Sequence, residues 1–335
     1  LTNLKLSLFL KMENWSNYKF FFLLLTLPLL SSTSNNLKWG FYGHKKINKM
    51  AVFTLPPELF NFYKSNIDYI TDHAVDPDKR RYINKEEACR HYIDIDHFYV
   101  KDTNVFQVMP RKWKDAVEKY SEDTLKEYGI VPWHIQTTKY RLQKAFEEKN
   151  TDLILKYSSE IGHYIADAHV PLHTTENYNG QLTNQHGIHA LWETNVVELK
   201  SNDYNYFIPK ADYISNPLDY TWEIIEASHS KLDSVLFIEK ETSKHFASDE
   251  KYALISKGKR VVKSYSVRFV NSYSDNLNGM VERRMRKAIE AIGCFWYTAW
   301  VDAGQPELQI TTVKENLVRE NKTTKNNISE ENCIH

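Results

Sequence analysis

Between residues 131 and 301 the apolar positions of this chain recur at steps of three and four, the spacing that aligns side chains along one face of an α-helix. The clearest case is 151–168, where Leu153, Ile154, Tyr157, Ile161, Tyr164 and Ile165 form one stripe and Pro171 closes the pattern. Segments 133–148, 217–239, 250–273 and 278–301 carry the same period, and alternating runs bounded by turn residues are scarce. The pattern therefore predicts an all-α fold, a single multi-helix domain over 39–304. Residues 174–187, with Asn177, Asn179, Gly180, Asn184 and Gly187, read as a polar loop within it.

The two ends break the pattern. Lys5, Lys11 and Lys19 precede an apolar run over 20–30 that passes into Ser31-Ser-Thr-Ser34. A span of the bilayer takes about twenty apolar residues, and Pro28 interrupts this shorter run, so residues 1–38 are expected to be a cleaved export signal. An uncleaved anchor is the alternative. Export would place the protein in a periplasm or outside the cell. From residue 305 the chain is rich in Lys, Glu, Asn and Thr, and 311–335 is expected to be a disordered tail.

Composition narrows the choice of partner. At 335 residues and 42% hydrophobic content the chain can bury a substantial core. Lys plus Arg balance Asp plus Glu at 43 each, so no overall field attracts a polyanion, and a phosphate substrate would have to be held by local charge. The cysteines Cys89, Cys294 and Cys333 have no metal-ligand spacing. In an exported chain Cys89 with Cys294 is the preferred disulfide, with three unpaired thiols as the alternative.

The densest chemistry lies in His163-Tyr-Ile-Ala-Asp167-Ala-His169-Val-Pro171-Leu-His173 and His189-Ala-Leu-Trp-Glu193. Residues four apart share a helix face, so His163 with Asp167, and His189 with Glu193, can each aim two ligands at one point. Imidazole with carboxylate is a zinc ligand set. Upstream stand Trp39-Gly-Phe-Tyr-Gly-His44, Asp76 and His91-Tyr92-Ile-Asp94, each weak alone.

In this order the motifs resemble the superfamily of trinuclear-zinc phosphodiesterases, which includes fungal and plant single-strand nucleases and bacterial phosphatidylcholine-cleaving phospholipase C. The resemblance runs from residue 39 to about 200 and is most specific in H-x3-D-x3-P-L-H with the later H-x3-E. It implies three zinc ions. Asp76, His91, His163 and Asp167 would hold the first, and His173, His189 and Glu193 the second. The third would take the amine and carbonyl of Trp39, with His44 and Asp167. Asp76 and Asp167 would be the catalytic carboxylates, Asp76 orienting the attacking water. Two departures stand out: Lys38 precedes Trp39, whose α-amine is free only if processing ends there, and Glu193 replaces the Asp usual in the nucleases.

The resemblance leaves the substrate divided. Trp39-Gly-x-x-Gly-His44 resembles the nuclease branch and so favours single-stranded nucleic acid or nucleotides, while Glu193 favours a phospholipid headgroup. Tyr92 and Asp94 match residues with which the nucleases stack on and hydrogen-bond a base. The alternative is that Tyr92 packs in the core and Asp94 supports a ligand. A metal-stabilised binding protein without turnover is a further expectation to be tested. His169, two residues past Asp167, should point away from the ligand face. His97 could orient a ligand, and the basic segment 257–268 reads as a solvated helix face rather than a polyanion groove.

Overall fold

The structure, a computed structural model, describes residues 40–257 and 260–309. The proposed export segment, Trp39, Cys333 and nearly all of the polar tail lie outside them. The described chain is mostly helical, with one two-stranded sheet, as the apolar period predicts. Its longer helices are α1 (Phe41–Ala51), α2 (Val131–Glu147), α3 (Thr151–Ala168), α4 (Pro217–His229), α5 (Leu232–Ser243), α6 (Val267–Asn276) and α7 (Met280–Asp302). No helix among the described residues is long and apolar enough to cross a membrane.

Local chemistry sets the helix ends. Pro132 and Pro217 occupy first turns, where a missing N–H costs nothing. Asn150 caps α3 by accepting from the Leu153 N–H at 3.1 Å, which turns the chain back from α2 into an antiparallel pair. The apolar faces of α1, α2 and α3 then close on α7, whose Ile289, Ile292, Phe295, Trp296 and Ala299 are completely buried. Trp296 stacks on Tyr63 with ring centroids 4.7 Å apart, and its Nε1–H donates to the Ser158 carbonyl at 3.1 Å.

One glycine governs how closely α1 approaches α3. A Cβ at Gly162 would collide with the side chain of Asn48, whose Nδ2 donates to the Ser159 carbonyl at 3.0 Å. Asn48 lies four residues after His44, on the same face of α1. The missing side chain thus brings His44 within reach of Asp167.

Two helical predictions need correction. The 217–239 helix is broken after His229 into α4 and α5, where the ladder tightens: the Ser230 N–H still donates to the Glu226 carbonyl at 2.9 Å, but the Lys231 N–H donates to the Ser228 carbonyl at 3.0 Å, three residues back instead of four. Segment 250–273 is not one helix either. It forms a hairpin of β1 (Tyr252–Lys257) and β2 (Arg260–Tyr265), antiparallel with Tyr252 opposite Tyr265, followed by α6. The expected helix face over 257–268 is therefore largely strand. Ile255, Val261 and Val262 are β-branched and favour strands, which overrides the helical period. The expected disulfide is also absent: Cys89 Sγ donates to the Glu86 carbonyl at 3.3 Å, whereas Cys294 Sγ accepts from the Asp212 N–H at 3.3 Å.

Candidate metal centre

Five segments converge on the lower half of α3. From α3 itself come His163 and Asp167, one turn apart and buried. His44 arrives from α1, Asp78 from the short helix Asp76–Arg80, and His91 from the end of the 3-10 turn Lys85–Arg90. His173 sits in the 3-10 turn Pro171–Thr174. The fifth segment runs from Ile188–Ala190 into a π-turn, Leu191–Asn195, and carries His189 and Glu193. Such wide turns concentrate at functional sites.

The donor atoms fall into three groups, each close enough to share one ion. His44, His163 and Asp167 form one, Asp78, His91 and His163 another, and His173, His189 and Glu193 the third. Asp167 lies where they meet. Its Oδ1 is 3.4 Å from His44 Nε2 and 4.0 Å from His173 Nε2, and its Oδ2 is 2.9 Å from His91 Nδ1 and 3.3 Å from His163 Nε2. Across the cleft, Glu193 Oε1 is 2.9 Å from His189 Nε2 and Oε2 is 3.4 Å from His173 Nε2.

In three of the histidines the ring nitrogen facing away from the centre is held by a backbone carbonyl. His163 Nδ1 pairs with Ala74 O at 2.8 Å, His173 Nδ1 with His91 O at 2.7 Å, and His189 Nδ1 with Tyr178 O at 3.2 Å. With Nδ1 donating, each presents the Nε2 lone pair inward, as metal-binding histidines do. Asp78 Oδ2 is buried with no hydrogen bond. A buried polar atom without a hydrogen bond is costly, and a cation shared with His91 and His163 would remove that cost. The donor set therefore fits a divalent ion of the imidazole-and-carboxylate class.

Electrostatics agree. Burial opposes charge on His173, but Asp167 and Glu193 outweigh it and hold the imidazole up to about 9. Burial likewise opposes the charge on His163, and Asp167 and Asp78 raise it. Burial depresses His91 to about 4 and lowers His44. Against its own burial, Asp167 is held far below the carboxylate range by His163 and His173. On His163 and His173 protons are thus favoured where metal ions would stand, and metal binding would displace them.

Of the sequence-predicted ligands, His44, His91, His163, Asp167, His173, His189 and Glu193 are brought together. Trp39 lies outside the described residues. Asp76 is not brought in: it is partly exposed and pairs with His73 at 2.5 Å and Lys79 at 2.7 Å. Asp78, which the sequence reading missed, takes that place, with Oδ1 3.9 Å from His163 Nε2. Residues two apart on a helix point to nearly opposite sides, so only one of the pair can face the cluster. His73 and Lys79, each three residues from Asp76, mark its face as the outer one.

The chain matches no protein-family model and no curated protein.

Tyr92 and Asp94 line the same cleft, about 430 Å³ in volume, together with Arg81, Glu176, Tyr178, Asn179 and Gln181. Tyr92 is half-buried and its hydroxyl donates to Glu127 O at 3.2 Å. Burial, then Asp96 and Glu176, push the Asp94 carboxyl up to about 7. Arg81 is a second residue that sequence reading missed; its guanidinium is 3.9 Å from Asp78 Oδ1 and 17% exposed. His97 touches no member of the cluster's donor groups: it pairs with Glu176 at 3.0 Å and stacks on Tyr128 at 3.6 Å. His169 does point away, yet it is buried rather than on the surface, with Nδ1 on Ile165 O at 2.8 Å.

Proposed function

We propose that this protein is a zinc-dependent hydrolase of phosphodiesters, acting on single-stranded nucleic acid or nucleotides. The observation that carries the reading is the sharing of Asp167, which turns one oxygen to His44 and the other to His91 and His163. A carboxylate so placed suits adjacent ions, and paired metal sites serve in-line displacement at phosphorus. Asp78, His91, His163 and Asp167 would hold one zinc, and His173, His189 and Glu193 a second. His44 with Asp167 would hold a third, completed by Trp39 if that residue is the mature N-terminus. Zinc bound there supplies Lewis acidity toward phosphoryl oxygens and brings the pKa of water near neutrality.

The chain's own groups account for the rest. Arg81 offers a fixed guanidinium fork to a phosphate oxygen at the cleft wall. The water-orienting role that the resemblance implies for Asp76 falls to Asp78, whose Oδ2 has no other hydrogen bond. Tyr92 and Tyr178 offer aromatic faces for an unpaired base, and an Asp94 carboxyl near 7 can donate to a base edge at neutral pH. The resemblance to the trinuclear-zinc phosphodiesterases, and the export segment it accompanies, support the same reading.

A second reading has its own observation. Asp94 and Glu176 put carboxylates on the cleft wall beside Tyr92 and Tyr178, a setting suited to the cationic headgroup of a phosphatidylcholine-type lipid. The deciding experiment assays purified protein in parallel on single-stranded DNA or RNA and on phosphatidylcholine, with and without chelator. Nucleic-acid turnover that chelation abolishes supports the proposal. Turnover of the lipid alone favours the second reading, and zinc binding without turnover of either favours a non-catalytic metal-stabilised protein.

A further inference from the structure

The donor groups leave out a fully buried carboxylate directly behind them. Glu87 lies four residues before His91, is wholly inaccessible, and belongs to none of the three ligand groups. Two guanidiniums and a phenol converge on it: Arg80 Nε at 3.3 Å, Arg90 Nη1 at 2.8 Å, and the hydroxyl of Tyr164. Arg80 also donates to Tyr164 at 3.1 Å and to Glu160 at 2.7 Å. Each partner adjoins a ligand in sequence: Arg80 follows Asp78 by two residues, Arg90 precedes His91, and Tyr164 follows His163. One carboxylate therefore ties together three of the segments that build the site.

His91 is the inverted histidine of the cluster. His163, His173 and His189 turn Nε2 inward, whereas His91 turns Nδ1 inward, 2.9 Å from Asp167 and 3.1 Å from His163 Nε2. Its Nε2 is buried, makes no hydrogen bond, and faces Glu87 Oε1 at 3.7 Å. The geometry points to Glu87 as the positioning residue of His91: it accepts the Nε2–H, fixes the tautomer, and so commits the ring to bind zinc through Nδ1. Closing 3.7 Å to hydrogen-bond distance takes a ring movement under about 1 Å. A carboxylate on the outer nitrogen raises the basicity of the inner one and holds its direction. This role rests on the zinc reading proposed above.

The test follows imidazole nitrogens by NMR in the 15N-labelled protein during titration with zinc alone, first in the wild type and then in Glu87→Gln. In the wild type, His91 should show a zinc-bound Nδ1 and a protonated Nε2, the reverse of His163, His173 and His189. Glu87→Gln should weaken zinc at this site by roughly 10–100-fold, the usual cost of losing such a partner, and leave the His173, His189 and Glu193 site unchanged. Zinc on His91 Nε2, or wild-type affinity in the variant, overturns the assignment. The wild-type spectrum decides the first point even if the variant does not fold. A wild-type protein that takes up no zinc overturns the functional reading as well, whereas zinc bound with the other tautomer overturns the positioning role alone.

Discussion

Replacing Asp78 by Asn, and separately Asp76 by Asn, distinguishes two carboxylates two residues apart that the structure gives different surroundings. Asp76 is 29% exposed and joined to Lys79, 47% exposed, so its loss removes surface pairing worth roughly 0.2–1 kcal/mol. Asp78 is 6% exposed, and its Oδ2 has no hydrogen bond to lose. Zinc held by four protein donors binds with about 10–16 kcal/mol, so an even share for Asp78 is roughly 2.5–4 kcal/mol, or about 60–900-fold in Kd. The assay is zinc content by mass spectrometry after dialysis against a graded chelator buffer, with circular dichroism to confirm folding. Asp78→Asn should lose one zinc at a chelator strength that leaves Asp76→Asn fully loaded. Equal retention by both variants, or loss only in Asp76→Asn, would refute the placement of Asp78 and the reasoning from helix faces behind it.

Other expectations follow from the same geometry. Gly162→Ala should destabilise the fold by about 1–3 kcal/mol through overpacking against Asn48 and weaken zinc at His44, while the His173, His189 and Glu193 site keeps its affinity; chemical denaturation and zinc titration measure the two effects. In the metal-free protein His173 sits at about 9, above its ordinary 6.5, so its stabilisation is complete below pH 6.5 and is lost as pH rises through 9. That interval corresponds to roughly 3 kcal/mol, and His173→Gln should flatten the dependence of thermal stability on pH between 7 and 9, measured with chelator present. Tyr92→Ala should raise KM for a single-stranded oligonucleotide by about 5–150-fold, the equivalent of roughly 1–3 kcal/mol of stacking per base, without changing zinc content. An unchanged KM would return Tyr92 to a packing role.

Much of the site was legible because its logic is local. His163 with Asp167, and His189 with Glu193, are four apart, and that spacing alone placed each pair on one face. What escaped depended on facing or on distance. Asp76 and Asp78 differ only in which side of a short helix each occupies, and Pro77 between them carries no clue. Glu87 sits in the run Lys85-Glu86-Glu87, which reads as solvated charge until Tyr164, Arg80 and Arg90 are seen around it. The hairpin was hidden by its own period: Leu254, Ile255, Val261 and Val262 fall at i, i+1, i+7 and i+8, which fits a helix as well as paired strands. Only the β-branched residues favoured strands. Spacing along the chain likewise says nothing of the distance between Cys89 and Cys294.

The central claim is that the clustered imidazoles and carboxylates hold zinc for phosphodiester hydrolysis. Its most direct test is the hydrolysis of an activated phosphodiester, bis(p-nitrophenyl) phosphate, by chelator-stripped protein titrated with zinc and counted for bound ions. The account predicts no turnover in the stripped protein, followed by turnover that rises as zinc fills the Asp167 and Glu193 groups and disappears in Asp167→Asn. Hydrolysis that persists after all metal is removed, or a fully loaded protein that never turns over, would contradict it.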